Sequence, residues 1–599
     1  MSKNGSKSDI NIVYNGHDKW SFDATKVSIS SDQNHTCLIQ LPIQKDKEIL
    51  KPYKSADIWD GNHVRMPCSP QSKYIELDHN GIKITKSRWD LIEQSLLIEF
   101  DSSYTLEKAI KKYNTRYESW NFSSLHNFVE NVLSPQQKNS FLKYLLPKIV
   151  NLALRLPQII QCPIPLLRQG ETKSITMSQE QAATIIANSF LCTWPRRNTT
   201  KRDAEFANYP EINFNRLYSS DIQRVAQKLY CILNYFDRIF KNMPTGVITF
   251  SRRSLFFDQL PNWVNNTKTF SNIKYYVSSD ERIENTSGML QVDFANKFIG
   301  GGVLGNGLVQ EEIRFLINPE LIVAKLFTES LGNEESMLIT GTEQFNNYYG
   351  YSSTFKFAGN FFDQTEIDEF RRKRTTIVAI DALPYKNNLE QFQETNILRE
   401  LNKAYTGFYN EKNQSYQPVA SGFWGGGAFG GNQIRCAIIQ LMVCRETRRN
   451  LAFFTFGDEN LKQTIFALFE MLAERGVNIG RVFQILKQYN PSKSSTMDLA
   501  MFINEKTKID VASVIQIQPK IQPKITEKFP SSWLPCSIAF NETRSSSMHV
   551  EKTDIMKTKE TSKIFFTSGI PSKSPKKIEE KTVKKSSLLD SLDEDFFGK

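Results

Sequence analysis

Residues Gly300 to Leu316 carry the densest chemical signal in the chain. Five glycines fall within the eight positions Gly300 to Gly307, Gln310-Glu311-Glu312 follows, and Ile313, Phe315 and Leu316 continue as an apolar run around Arg314. A backbone without Cβ atoms reaches positive φ and approaches a ligand closely, and N–H groups beside a helix start bind phosphate oxygens. The acids that follow would then lie beside a bound phosphate ester. Neighbouring helical residues point in different directions, so Glu311 and Glu312 are not a facing dyad and are expected to hold separate jobs, one as acid and one as positioner. The plainer reading of the same residues is a polar helix start, where the dipole favours glutamate.

A second cluster, Gly425-Gly426-Gly427-Ala428-Phe429-Gly430-Gly431, contains G-x-G-x-x-G and precedes an apolar helical stretch. That pattern invites a dinucleotide-oxidoreductase reading, which needs a strand directly before it. Pro418 to Trp424 reads as a poor strand and argues against that assignment. Asp293 and Asn296 stand just before the first cluster, placed to order it, cap local backbone or bond a ribose. Tyr351 and Phe456 offer flat faces on which an adenine ring can stack, although isolated aromatic residues more often belong to a core.

These residues need a scaffold. From Trp120 to Phe240 the pattern is helical. Ser134-Pro135-Gln136-Gln137 supplies an N-cap, a first-turn proline and a capping-box glutamine ahead of Phe141, Leu142, Leu145, Leu146, Ile149 and Val150; Ser178 with Gln181 starts another helix through Ala182, Ile185, Ile186 and Phe190. After Pro244-Thr245-Gly246, short apolar runs at Val247–Phe250, Met289–Phe294, Leu338–Thr340, Ile377–Ile380 and Leu451–Thr455 alternate with helical stretches such as Glu311–Leu326 and Gln433–Cys444. Strands alternating with helices predict an α/β fold whose sheet is covered on both faces.

We divide the chain into a polar N-terminal extension (1–54), a helical accessory region (55–243), an α/β catalytic domain (244–500) and a low-complexity basic tail (501–599). In the tail the repeat Ile517-Gln518-Pro519-Lys520, Ile521-Gln522-Pro523-Lys524 gives way to serine- and lysine-rich sequence. That composition buries too little apolar surface to offset its ordering entropy, so disorder is expected from about residue 505. Lys573 to Lys585 reads as a nuclear-import signal or a solvated linker. Leu588 to Phe597 mixes leucines, acids and Phe596-Phe597, as a partner-docking end or a frayed terminus does.

At 599 residues, 40% of them hydrophobic, the chain has room for two or more domains. No run approaches the roughly 18 to 20 uninterrupted apolar residues that cross a bilayer, and Met1 to Ile10 is polar. A soluble intracellular protein without a membrane partner is expected. Eight cysteines without a C-x-x-C pair and six histidines without H-x-H or H-E-x-x-H point to neither a disulfide framework nor a zinc site, so no metal and no cofactor is expected. The charge of +11 favours polyanionic partners, but part of the excess sits in lysine-rich terminal segments and does not mark the active site.

The first glycine cluster, with Val292-Asp293-Phe294-Ala295-Asn296 before it, resembles the signature of the poly(ADP-ribose) glycohydrolases. The resemblance continues in order through Ile339 to Gln344, Gly350-Tyr351, Ile380 to Leu383, Glu400 to Tyr405, Gly427 to Gly431 and Phe454 to Asp458. Upstream it includes His63 to Cys68, Ser174 to Gln181 and Pro195 to Asn198, so that it covers roughly residues 55 to 490. Such ordered agreement is more specific than any single motif. It implies a macrodomain with a mixed sheet flanked by helices, joined to an N-terminal helical accessory domain. It further implies an enzyme that splits ribose–ribose O-glycosidic bonds of poly(ADP-ribose) and releases ADP-ribose.

That reaction protonates a departing sugar oxygen while positive charge builds at the anomeric carbon, usually with two carboxylates dividing the duties. By the resemblance Glu312 donates the proton and afterwards activates water, with its pKa raised by burial or a nearby anion. Glu311 holds ribose hydroxyls, and the substrate's own diphosphate helps to offset the oxocarbenium charge. Gln310, Asp293, Asn296, Gly300, Gly301 and Gly302 contact the substrate. Gly427 wraps the diphosphate, Phe429 packs near the distal ribose, Tyr351 covers the adenine with Phe456 close by, and Ile283-Glu284 meets the adenine edge. The implied partners are poly(ADP-ribose) and poly-ADP-ribosylated proteins, in the nucleus and/or cytoplasm during the DNA damage response; direct nucleic-acid binding is not indicated.

One departure stands out. Where the family commonly has asparagine before the tryptophan of the second glycine loop, this chain has Phe423, so hydrolysis is expected to persist with altered affinity or rate. Two other readings share the fold: a reader that binds without turnover, which needs no protonatable acid at Glu312, and a hydrolase of mono-ADP-ribosylated protein, which faces a different leaving group. Sequence alone chooses neither between them nor between endo and exo cleavage, and leaves the oligomeric state open.

Overall fold

A computed structural model describes residues 9–20, 29, 31–43, 49–77, 79–198, 201–410, 417–491 and 498–515. The expected tail beyond 515, including Lys573 to Lys585 and Leu588 to Phe597, lies outside the described residues. The strands in chain order are β1 (His35–Cys37), β2 (Lys73–Leu77), β3 (Lys83–Ser87), β4 (Lys173–Ser178), β5 (Val247–Ser254), β6 (Tyr275–Ser278), β7 (Leu290–Ala295), β8 (Glu335–Thr340), β9 (Asn346–Tyr349), β10 (Lys356–Asn360), β11 (Thr376–Asp381), β12 (Val419–Ser421) and β13 (Leu451–Phe454). β2 pairs with β3 and β9 with β10 as small hairpins. The others form one mixed sheet in the order β1-β4-β5-β8-β11-β7-β12-β13-β6.

Along β4, β5, β8 and β11 each strand runs antiparallel to its neighbour, whereas β11, β7, β12, β13 and β6 are mutually parallel. The central strand β11, Thr-Ile-Val-Ala-Ile-Asp, is buried along its whole length, as a strand covered on both faces must be. Its side chains alternate between two cores. Ile377 and Ala379 join the cluster built with the N-terminal helices, and Val378 and Ile380 join the one built with helices Glu394–Phe408, Gln433–Thr447, Glu459–Glu474 and Ile479–Gln488. Pairing aligns Asp381 with Ala295, and Phe454 with Ser278, so the carboxyl ends of the parallel strands share one edge of the sheet. Loops leaving that edge are where an open α/β sheet binds its ligands.

Both anticipated capping boxes form. The Ser134 hydroxyl accepts from Gln137 N at 3.2 Å and the Ser178 hydroxyl from Gln181 N at 3.1 Å, each glutamine carbonyl accepting from the cap's N–H in return.

Four expectations are corrected. The described residues among the first 54, expected to be a polar extension, join the fold: β1 pairs in parallel with β4, Cys37, Leu38 and Ile39 are buried, and Val13 and Tyr14 pack with Met289 and Phe454. Few apolar residues are needed there, because main-chain hydrogen bonds to the sheet complete the attachment. The border at 244 separates no two cores, since β4 from the accessory region pairs with β5 and one apolar cluster runs from Leu38 to Ala379. Glu311 to Leu326 is not one helix. Gln310–Ile317 ends at Asn318, Pro319 opens a 3-10 turn, and Ala324–Phe327 follows. Past residue 501, helix Leu499–Ile515 continues and packs against helices Gln433–Thr447, Glu459–Glu474 and Ile479–Gln488, with Leu499 and Ile503 buried as an i, i+4 pair. No described helix is long and apolar enough to cross a membrane.

Candidate active site

Each loop at the carboxyl edge carries residues singled out by sequence: Ile283 and Glu284 after β6, Asn296 to Gly302 after β7, Gly427 and Phe429 after β12, and Phe456 after β13. The loop after β7 is closed by the helix that follows it. Gln310 opens that helix and ties it to the strand: its Oε1 accepts from Phe294 N at 2.8 Å and its Nε2 donates to the Val292 carbonyl at 3.1 Å. Gln310 is therefore anchored to backbone at both ends of its amide, with one N–H and one lone pair left over. Asn296 likewise orders the loop, accepting from Phe298 N at 3.0 Å.

The two acids diverge as their adjacent helical positions require. Glu311 turns under the loop, its Oε1 accepting from Gly300 N at 2.6 Å and its Oε2 from Asn296 N at 2.9 Å. Glu312 turns along the outer arm, its Oε1 accepting from Gly302 N at 2.8 Å and its Oε2 from its own helix cap, Val309 N, at 2.9 Å. Both acids are buried, Glu311 3% and Glu312 6% exposed, and only the Gly300 contact lies wholly inside.

The N–H groups of Gly300 and Gly302, expected to meet phosphate, are thus occupied by carboxylates, and the glycines serve the acids. At Gly301 (φ +42°) a Cβ would stand 2.5 Å from Glu312 Oε1 and 2.7 Å from Glu311 Oε2, and at Gly307 it would stand 2.4 Å from Glu312 Oε1.

A third carboxyl lies behind. Asp293, on β7, is 1% exposed, and among the described residues neither of its carboxyl oxygens has a hydrogen-bond partner. Burial pushes it up to about 8; the nearby Arg314 guanidinium opposes this and the Glu312 charge adds to it. Burial, reinforced by Asp293 and Glu312, also holds Glu311 well above the usual carboxylate range against the pull of the Asn296 and Gly300 N–H groups. Clustered carboxyls in a dry site cannot all ionise, so Asp293 and Glu311 retain protons where isolated acids would not.

Cations flank the cluster from below. Lys228 Nζ donates to the carbonyls of Gly302, Val303, Gly305 and Gly307, and Lys325 Nζ to those of Ile299 and Gly301.

The aromatic residues collect around the same edge. Tyr351 follows the β9 strand, is 54% exposed, and its hydroxyl feels the Gln310 N–H and the Glu312 charge, which sets it at the start of the acid helix. Phe456 is half-exposed on a left-handed backbone (φ +51°). The Phe423 ring meets it edge-on, centroids 6.3 Å apart, and also Phe453 at 5.5 Å. Ile283 is buried. Glu284 accepts a 2.5 Å hydrogen bond from the Tyr348 hydroxyl, whose ring lies 4.8 Å beneath the Arg282 guanidinium.

In the second glycine loop, Phe429 O accepts from Tyr385 N at 2.9 Å and Gly427 O from Gly430 N at 3.0 Å, and a Cβ at Gly427 would meet nothing within 4 Å. The strand before this loop, read from sequence as poor, exists: β12 is short, buried, and held between β7 and β13. Main-chain pairing on both sides makes a strand of Val-Ala-Ser, which has too few residues to show a period.

Sequence reasoning missed Lys228, Lys325, Arg314 and Tyr348. Three of them carried a signal, being lone cations within apolar helical runs: Lys228 between Val225 and Leu229, Arg314 between Ile313 and Phe315, Lys325 between Ala324 and Leu326. Among the described residues no group of three or more His, Cys, Asp or Glu side chains is arranged to hold a metal ion.

Residues 260–463 match the family described as poly(ADP-ribose) glycohydrolase, macro domain fold, and residues 133–252 match the helical domain of the same family. A probable poly(ADP-ribose) glycohydrolase 2 of Arabidopsis thaliana is 29% identical over 437 residues, 61% of this chain and 82% of that protein. Poly(ADP-ribose) glycohydrolase 1 of the same plant is 28% identical over 486 residues, 66% of this chain and 87% of that protein. Poly(ADP-ribose) glycohydrolase 2 of Caenorhabditis elegans is 33% identical over 340 residues, 54% of this chain and 66% of that protein. With both domain types matched in order, and the acid-bearing loop lying inside the macro-fold match, the chain belongs to the poly(ADP-ribose) glycohydrolase family.

Proposed function

We propose that this chain hydrolyses the ribose–ribose O-glycosidic bonds of poly(ADP-ribose), free or carried on modified proteins, and releases ADP-ribose, with Glu312 as general acid and then general base. The observation that carries the reading is the seat of Glu312: a carboxyl held by Gly302 N and Val309 N against a glycine backbone, beside aromatic residues at the ligand-binding edge of a parallel sheet. In the first step the Glu312 proton passes to the departing ribose oxygen as its bond to the anomeric carbon breaks. In the second, the resulting carboxylate takes a proton from water, whose oxygen bonds to the anomeric carbon, and the acid is restored. Glu311, with one N–H on each oxygen, keeps lone pairs that can accept from a ribose hydroxyl. Adjacent diphosphate charge favours the oxocarbenium state. The names of the relatives support the same substrate.

The test is incubation of purified protein and its Glu312→Gln variant with labelled polymer, followed by product separation. Free ADP-ribose from the wild type alone is expected. Equal polymer binding by both proteins, with release from neither, would make the site a reader's. Release only from mono-ADP-ribosylated protein would make the substrate the protein-linked unit.

A further inference from the structure

We propose, resting on the glycohydrolase reading above, that Lys228 and Lys325 are positioning residues of the reaction: two buried ammonium groups that turn the carbonyls of the Ile299–Gly307 loop inward and so keep its N–H groups on the two glutamates. Lys228, 0% exposed on the helix Ile222–Lys241, reaches four carbonyl oxygens of this loop at 2.5 to 3.1 Å. Lys325, 2% exposed, reaches the carbonyls of Ile299 and Gly301 at 3.2 Å each. The residues whose carbonyls are drawn inward alternate with, or are the same as, those whose N–H groups bind the acids: Gly300 N on Glu311, Gly302 N on Glu312. Glycine-rich backbone has many accessible shapes, and one fixed shape requires an agent to select it.

The four carbonyls on Lys228 call for a cation. A neutral amine has two N–H groups and a lone pair that would face carbonyl oxygen, whereas an ammonium has three N–H groups and none. A buried cation is costly unless fully bonded and electrically balanced. The carbonyls supply the bonds; burial pushes Lys228 down to about 7 and Lys325 to about 8, and the Glu312 charge beside Lys228 opposes this.

The same helix grips the loop at two further points: Asn306 Oδ1 accepts from Asp221 N and Asn306 O from Arg224, both at 2.8 Å. Asp221, Arg224 and Lys228, spaced i, i+3 and i+7, form one stripe along the helix toward the loop. Lys325 is fixed in turn by Arg197, whose guanidinium donates to the Lys325 and Leu326 carbonyls. Arg197, Arg224 and Lys228 all come from the accessory region, which thereby shapes the catalytic loop.

The experiment uses the full chain and compares Lys228→Met, Lys228→Arg and Lys325→Met with wild type. It measures kcat and KM on labelled polymer well below each Tm, and ADP-ribose Kd by calorimetry. Lys228→Met keeps the length of the side chain and removes charge and donors. A carboxyl displaced by about 1 Å loses on the order of a hundredfold in rate. A hundredfold fall in kcat is therefore expected, with ADP-ribose Kd weakened about threefold to tenfold and at least tenfold of the lost kcat recovered in Lys228→Arg. Lys325→Met should move kcat and Kd in the same directions. A lysine that served only folding would lower Tm and leave kcat and Kd of the folded enzyme at wild-type values, and that result would overturn the proposal.

Should Lys228→Met not fold, Lys325→Met and Lys228→Arg decide. Loss of kcat in Lys325→Met with substantial activity kept in Lys228→Arg supports the clamp, and wild-type kcat in Lys325→Met refutes it. A wild type that binds ADP-ribose but hydrolyses no polymer would refute the proposed function instead. The clamp would then stand or fall on Kd alone, an unchanged Kd in both methionine variants refuting it.

Discussion

Gly301→Ala puts the geometry of the acid loop to its most direct test. The added Cβ would lie 2.5 Å from Glu312 Oε1, where ordinary contact begins at 3.4 Å, so the carboxyl must retreat by about 0.9 Å or the loop must move by as much. The backbone there sits at φ +42°, where an L side chain costs about 1 to 2 kcal/mol. Breaking the Gly302 N–H bond to the carboxyl costs about 1.5 to 3 kcal/mol more. Together these give roughly 2.5 to 5 kcal/mol of lost stability, and a carboxyl shift of this size gives on the order of a hundredfold loss of kcat.

Gly427→Ala is the matched control. Its Cβ meets nothing within 4 Å, so Tm should stay at the wild-type value; any effect should fall on KM, where a ligand diphosphate would lie against that open backbone. Thermal melts and polymer kinetics on the two variants check both statements. If Gly301→Ala kept wild-type kcat and Tm, the claim that the glycines exist to seat the glutamates would be wrong.

Two further outcomes follow from the packing. Glu320, fully buried, is pushed up to about 8, chiefly by burial, and its folded pKa therefore lies above its unfolded one near 4.5. The folded chain keeps a proton that the unfolded chain has lost, so this contribution is fully present below about pH 4.5 and is lost as pH rises toward 8. Relative to wild type, Glu320→Gln should gain stability by roughly 1 kcal/mol per pH unit between pH 5 and 7 in urea melts; parallel pH dependences would refute it. Phe423→Asn removes the edge contacts on Phe453 and Phe456, and should raise KM about threefold to tenfold with a smaller change in kcat. Unchanged constants in steady-state kinetics would take Phe423 out of the site.

What the sequence made legible is what depends on local chemistry. The capping residues at Ser134 and Ser178 form the hydrogen bonds that their types and spacing demand, and β5, β7, β8, β11 and β13 lie where apolar runs placed them. The divergence of Glu311 and Glu312 followed from helical geometry alone. What escaped depends on contacts distant in the chain. β12 is a strand because β7 and β13 flank it, and β1 belongs to the sheet because β4, more than 130 positions later, offers an edge. Gln310 reads as a ligand contact, and nothing local to it shows that the carbonyl of Val292 and the N–H of Phe294 also hold its amide.

The same reasoning explains why the helical region cannot be an appendage. Its Lys228 lies 74 to 79 positions before the carbonyls it holds, and its Arg197 lies 128 before the Lys325 carbonyl it anchors. A glycine loop gains ligand access by giving up intrinsic rigidity, and rigidity must then come from elsewhere. Here it comes from cations outside the glycine loop, set in apolar helical runs where an unpartnered charge would be expelled. The fold thus joins its two regions at the loop that bears the acids. On this reasoning, variants that loosen the packing of helix Ile222–Lys241 against the sheet should lose turnover before they lose ADP-ribose binding.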